Sequence, residues 1–129
     1  MKEPLWIDLR DALAIHDRLL ALEGGASGVR DAALLESALA RPIHVRAYRK
    51  KADIADLAAA YMTGIIRNHP FVDGNKRVGF VVGILFLEVN GWQLTASEES
   101  ATSVIFEVAA GTMDEPTLAS WLRSNIKRA

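Results

Sequence analysis

A chain of 129 residues, half of them hydrophobic, is enough for one folded domain with a buried core and excludes a disordered polypeptide. A formal charge of −1 argues against bulk electrostatic binding of nucleic acid and leaves room only for a local basic patch. The absence of cysteine excludes a disulfide framework and thiol chemistry, and fits a reducing cytoplasm.

In chain order, Met1 to Arg10 carries Glu3, Asp8 and Arg10 and lacks the apolar run of a signal peptide. The stretch IDLRDALAIHDRLLALEGG places Leu9, Leu13, Ile15, Leu19, Leu20 and Leu22 along a helical stripe, which Gly24 and Gly25 stop. A second helix is expected from Asp31 to Ala40, ending before Pro42. The following RPIHVRAYRKK is basic and lacks clear helical periodicity, so it reads as a long loop or a short hairpin-like flap. Asp53 is positioned to cap a helix running to Asn68, and Pro70 breaks it. From Asn75 to Asn90 the chain is apolar on most of a helical circumference, which marks this segment as the central helix. Its run VGFVVGILFLEV, residues 78 to 89, is shorter than the ~20 apolar residues of a bilayer span. After the connector WQLT, Thr95 or Ser97 starts a helix that Gly111 ends. Asp114 opens the last one, which extends to about Lys127. Strand-like alternation is nearly absent and no interdomain linker is visible. The expectation is an all-α single domain over residues 1–129, with about six helices around a central buried one.

The stretch HPFVDGNKR, residues 69 to 77, stands between the third helix and the apolar one. Gly74 allows backbone conformations closed to other residues, and Asn75 can cap the helix that follows. A helix N-terminus after a glycine turn suits an anion, and Lys76 and Arg77 add full positive charges there. Asp73 would repel phosphate unless a hard cation such as Mg²⁺ stood between them. His69 is the one side chain of the loop able to accept a proton near neutral pH. Each residue also has an ordinary use. His69 can cap the preceding helix, Asp73 and Asn75 are common N-cap residues, and Phe71 reads as a core anchor. Two cations at the positive end of a helix are nonetheless unfavourable unless an anion offsets them. Together the nine residues supply the parts for phosphoryl or nucleotidyl transfer to a hydroxyl.

The motif resembles the signature of the Fic/Doc superfamily without a gap. Its Fic branch reads approximately H-P-F-x-D/E-G-N-G-R-x-x-R, and its Doc (death-on-curing) branch approximately H-x-F-x-D-A/G-N-K-R. The likeness extends to the His16–Asp17 pair, the glycines at 24 and 25, the length and the helical pattern. It implies a helical Fic fold with the motif loop leading into the central helix. Lys76 stands where the Fic branch has its second glycine, and Phe80 where it has its terminal arginine. Both departures agree with the Doc branch. That resemblance implies a Ser/Thr protein kinase that binds ATP in reversed orientation and transfers its γ-phosphate to a threonine of elongation factor Tu, halting translation in the cytoplasm. The alternatives are a Fic-type AMP transferase and a catalytically silent antitoxin-binding module.

Carried over by resemblance, His69 is the base for the target hydroxyl and Asp73 positions the metal, Mg²⁺, or the reacting phosphate. Lys76 is counted with them as catalytic. Gly74, Asn75, Lys76 and Arg77 hold the nucleotide phosphates. The basic segment with Arg46, Arg49, Lys50 and Lys51 reads either as a target-aligning flap or as a solvated loop. The resemblance further implies a Phd-like antitoxin whose disordered tail folds on binding as a helix in a groove. The charge balance and the short apolar run leave no direct nucleic acid binding and no membrane among the expected partners. The segment SVIFEV, Ser103 to Val108, departs from the inhibitory pattern of some Fic proteins, so no self-inhibition of that type is expected. His16 reads as a structural histidine, and His44 belongs to the expected flap. Gly79 and Gly83 are expected to permit close helix packing, while Met62 and the tryptophans at 6, 92 and 121 read as packing residues.

Overall fold

Five of the six helices begin at a side chain that accepts a backbone N–H from its own first turn: Asp8, Asp31, Asp53, Ser97 and Asp114. The computed structural model describes all 129 residues. The helices are α1 (Leu9–Glu23), α2 (Ala32–Tyr48), α3 (Ile54–Asn68), α4 (Asn75–Val89), α5 (Glu98–Ala110) and α6 (Glu115–Ser124). Between α4 and α5 lies β1 (Trp92–Leu94), which pairs antiparallel with β2 (Ile126–Arg128), Gln93 opposite Lys127. The expectation of an all-α domain holds, with this small ribbon added. No helix is long and apolar enough to cross a membrane.

The central helix is α3 rather than α4. Eleven of its residues, from Ile54 to Ile66, are buried, whereas α4 leaves Lys76, Arg77, Glu88 and Val89 exposed. Its sequence explains this: Ala55, Ala58, Ala59 and Ala60 present small side chains around the circumference, so α2, α4 and α6 approach from different sides. Close approach to α4 depends on glycine. A Cβ on Gly79 would lie 2.6 Å from Ile66 Cγ1, and one on Gly83 would run into Met62. At the crossing with α2, a Cβ on Gly64 would meet the Cβ of Ala38 at 3.3 Å. The rest of the core includes Phe71, Val78, Val82, Phe86, Leu87, Val108, Leu118 and Leu122.

Two expected boundaries are wrong. Helix α2 does not stop before Pro42 but continues through it to Tyr48, so RPIHVRAYRKK supplies a helical turn and more, not a flap. An interior proline costs about 3 kcal/mol. Leu35, Ala38, Leu39 and Pro42 itself are all buried on one stripe, and their burial against the domain offsets that cost. The last helix ends at Ser124 because Asn125 turns the chain into β2, whose pairing satisfies the backbone that a longer helix would have used.

The start of α3 is fastened to α6 and to the end of α2. Arg123 donates to Asp53 at 2.6 and 3.1 Å and to Asp56 at 3.1 Å, and Arg49 approaches Asp56 at 3.5 Å. The Arg123 guanidinium holds the Asp53 carboxyl down to about 2, from an ordinary 3.8. A carboxyl depressed in the folded state stabilises the fold above its unfolded value and loses that contribution as pH falls from about 4 towards 2. The pair is half-exposed, so screening limits its worth to about 1 kcal/mol. Asp53→Asn keeps the N-cap. It is expected to be less stable than the wild type at pH 7 by about that amount, and the difference between the two urea midpoints should shrink as pH falls from about 4 through 2.

Candidate active site

Helix α3 is capped at its C-terminus by His69, the only residue other than glycine with positive φ (φ 48, ψ 56). Such a conformation costs about 1–3 kcal/mol and persists only where the surroundings impose it. Here the surroundings are the connector between α1 and α2. Arg30 donates through Nε to the His69 carbonyl at 2.6 Å and through Nη2 to that of Asn68 at 2.8 Å. The Pro70 carbonyl accepts from the backbone of Arg30 and Asp31, and Val72 N–H donates to Gly28 at 3.0 Å. The imidazole of His69 is exposed and makes no hydrogen bond within the protein.

The loop is pinned from below by Phe71, fully buried and stacked on His16 with ring centroids 4.1 Å apart. His16 is itself buried, and its Nε2–H donates to the Asp73 carbonyl at 3.0 Å. Its reading as a structural histidine is right, and the structure it serves is the motif loop. Asp73 accepts from Gly74 N–H at 2.8 Å and from Ala26 N–H at 3.2 Å. Gly25 makes the second contact possible: its φ is 119°, and a Cβ there would sit 2.9 Å from the Asp73 carboxylate.

Asn75 does something other than cap α4. The N-cap is Gly74 in the left-handed region, with no side-chain bond. The buried Asn75 amide instead accepts from Phe71 N–H at 2.9 Å and donates to the Phe71 carbonyl at 3.0 Å, closing the loop on itself. Its side chain is therefore taken, and only its backbone N–H remains for an anion. The backbone N–H groups of Asn75, Lys76 and Arg77 find no acceptor in the protein. Beside them the Lys76 ammonium lies 5.3 Å from the ring centroid of Phe106 on α5, and Arg77 forms an ion pair with Glu23 at the end of α1.

All six sequence-predicted site residues, His69, Asp73, Gly74, Asn75, Lys76 and Arg77, line one groove of about 910 Å³. Its other lining includes the apolar Phe80, Leu94, Ile105 and Phe106. The basic segment that reads as either a target-aligning flap or a solvated loop does not reach it: His44, Arg46, Arg49, Lys50 and Lys51 line none of it. Arg46 pairs with Glu3 and Arg49 with Asp56. Sequence reading missed Arg30, Glu23 and Phe106. Only the two adjacent glycines at 24 and 25 hinted that the α1–α2 connector approaches the motif.

The Fic/DOC family model matches residues 6–87, from before α1 through most of α4, and so takes in the whole motif. The chain belongs to the Fic/DOC family. It is 39% identical over 105 residues to Toxin Doc of Mycolicibacterium smegmatis (strain ATCC 700084 / mc(2)155), covering 77% of this chain and 78% of that protein. It is 31% identical over 117 residues to Protein kinase doc of Escherichia phage P1, covering 91% and 92%. Both relatives carry the Doc name, and the chain falls on that branch of the family.

The Doc-branch substitutions have clear physical consequences in the groove. Lys76 fills space beside Phe106 that a glycine would leave open. Phe80 packs its half-buried ring against the core edge, so no cation stands at that turn of α4. The donor set also bears on a metal. No group of three or more histidine and carboxylate side chains comes together around the loop. Asp73 uses two of its roughly four acceptor positions on N–H groups and keeps the others. One carboxylate plus nucleotide phosphates and water is a common set for Mg²⁺.

Proposed function

We propose that this protein is the toxin of a type II toxin–antitoxin pair, a Doc-like kinase that moves the γ-phosphate of ATP to a threonine of elongation factor Tu and so stops translation in the cytoplasm. The observation that carries the proposal is the meeting, in one groove, of an exposed and unpartnered His69 with the open amides of α4 and two cations. The relatives' names, a toxin and a protein kinase, support the same reading.

In this mechanism His69 takes the proton of the threonine hydroxyl as its oxygen bonds to the γ-phosphorus. The bond from that phosphorus to the bridging β-oxygen breaks, and ADP leaves. Lys76, Arg77 and the N–H groups of Asn75, Lys76 and Arg77 hold the charged oxygens in place. Asp73 is the residue that would hold Mg²⁺, whose charge would offset that of the nucleotide phosphates. The apolar side of the groove, with Ile105 and Phe106, offers the nucleoside a surface. A Phd-like antitoxin, its tail folding on binding, is the proposed partner that silences the toxin.

The substrate is tested by incubating the protein with elongation factor Tu and Mg²⁺-ATP. Intact-mass and peptide analysis should find one added phosphoryl group, on a threonine. An unmodified factor, under conditions where the protein turns over ATP on another substrate, removes elongation factor Tu from the proposal.

Asp73 gives a second check. ATP binding by calorimetry should be tighter with Mg²⁺ than with a chelator, and Asp73→Asn should erase most of that difference. Equal affinities in all four conditions would leave Asp73 only its bonds to Gly74 and Ala26.

A further inference from the structure

Glu23 is the last residue of α1, and Arg77 lies in the first turn of α4. A carboxylate at a helix C-terminus and a guanidinium at an N-terminus each meet the pole that disfavours them. The two side chains pair with each other, and both line the groove. We infer that Glu23 is a built-in competitor for the phosphate subsite, holding Arg77 until a nucleotide phosphate takes its place and thereby weakening nucleotide binding. The inference rests on the reading of this groove as a phosphate site.

An incoming phosphate gains Arg77 only by leaving the Glu23 carboxylate at the negative pole of α1 without its cation. Lys76 carries no such penalty, because its ammonium is held by an aromatic ring and leaves no charge behind when it turns. The side chains of Arg77 and Glu23 are 54% and 42% exposed, so water screens the pair. The handicap is therefore modest, about two- to fivefold in affinity. Glu23 sits on α1, apart from the Ser103–Val108 segment of α5, and it tunes affinity without closing the groove.

The test is calorimetry with Mg²⁺-ATP and, separately, with inorganic tripolyphosphate, which probes the anion subsite without a nucleoside. The proteins are the wild type, Glu23→Gln, Arg77→Ala and the double variant. Glu23→Gln should bind both probes about two- to fivefold more tightly. In the Arg77→Ala background the same change should bring no gain, and the advantage over wild type should narrow as salt rises. Glu23→Gln removes a charge from the pole that disfavours it and gives up a screened ion pair in exchange, so it should melt close to the wild type. Unchanged or weaker binding by Glu23→Gln, with Arg77→Ala still weakening binding, overturns the inference and leaves the site standing. A gain that persists undiminished without Arg77 overturns it too, since Glu23 would then act by general charge alone. If neither the wild type nor Glu23→Gln binds either probe, the phosphate reading falls and the inference with it.

Discussion

His69→Ala lowers phosphoryl transfer by about 10²–10⁴-fold while the protein stays folded, as expected for removal of a general base. The fold should survive because nothing in it holds the imidazole. The Arg30 bond goes to the His69 carbonyl, and the loop below is fixed by Phe71, His16 and Asn75. Alanine does carry one structural penalty, since residue 69 has φ 48 and a Cβ-bearing side chain without local hydrogen bonds is disfavoured there. His69→Asn separates the two effects, because asparagine tolerates that conformation and supplies no base. Loss of transfer in both variants, with melts near the wild type, identifies the imidazole as the active group. Transfer retained by the asparagine variant would mean that residue 69 matters only for the shape of the loop.

Lys76→Gly should reduce kinase activity by about 10- to 150-fold, the worth of one charge-assisted contact to phosphate. Glycine in the first turn of α4 costs up to about 1 kcal/mol, which a folded domain should tolerate. The change also clears the space beside Phe106 and so tests what the lysine excludes. Lys76→Gly with Phe80→Arg restores both positions of the Fic-branch motif and is expected to gain weak AMP transfer. Phe80 packs against the core edge, so this variant should melt lower, by about 1–3 kcal/mol. Undiminished kinase activity in a folded Lys76→Gly protein would refute the part given to this lysine.

The parts of the fold readable from sequence were those governed by neighbouring residues. Asp53 with Asp56, Ser97 and Asp114 announce their helices because a cap and its first turn lie within three residues. The motif loop is legible for the same reason, as nine contiguous residues carrying an anion site. What failed depended on partners far along the chain. Pro42 is a stop signal locally, and only the burial of its stripe against α3 keeps α2 going. Asn75 has the chemistry of an N-cap, yet the buried turn at Phe71 claims its amide first. Arg30 reaches a carbonyl 39 positions away, and the connector that carries it has no periodicity to betray it. The apolar run at 78–89 outranks the alanine-rich α3 on hydropathy. Alanine nonetheless makes α3 the central helix, because small side chains let three neighbours approach.

The central claim is that the protein transfers the γ-phosphoryl group and not the adenylyl group. ATP labelled at the γ-phosphate and ATP labelled at the α-phosphate are offered in parallel to the wild type and to His69→Ala, each in a bacterial translation extract. The account predicts protein-bound label from the γ position alone, present with the wild type and lost with His69→Ala. Label entering protein from the α position, with none from γ, would contradict it and make this chain an AMP transferase.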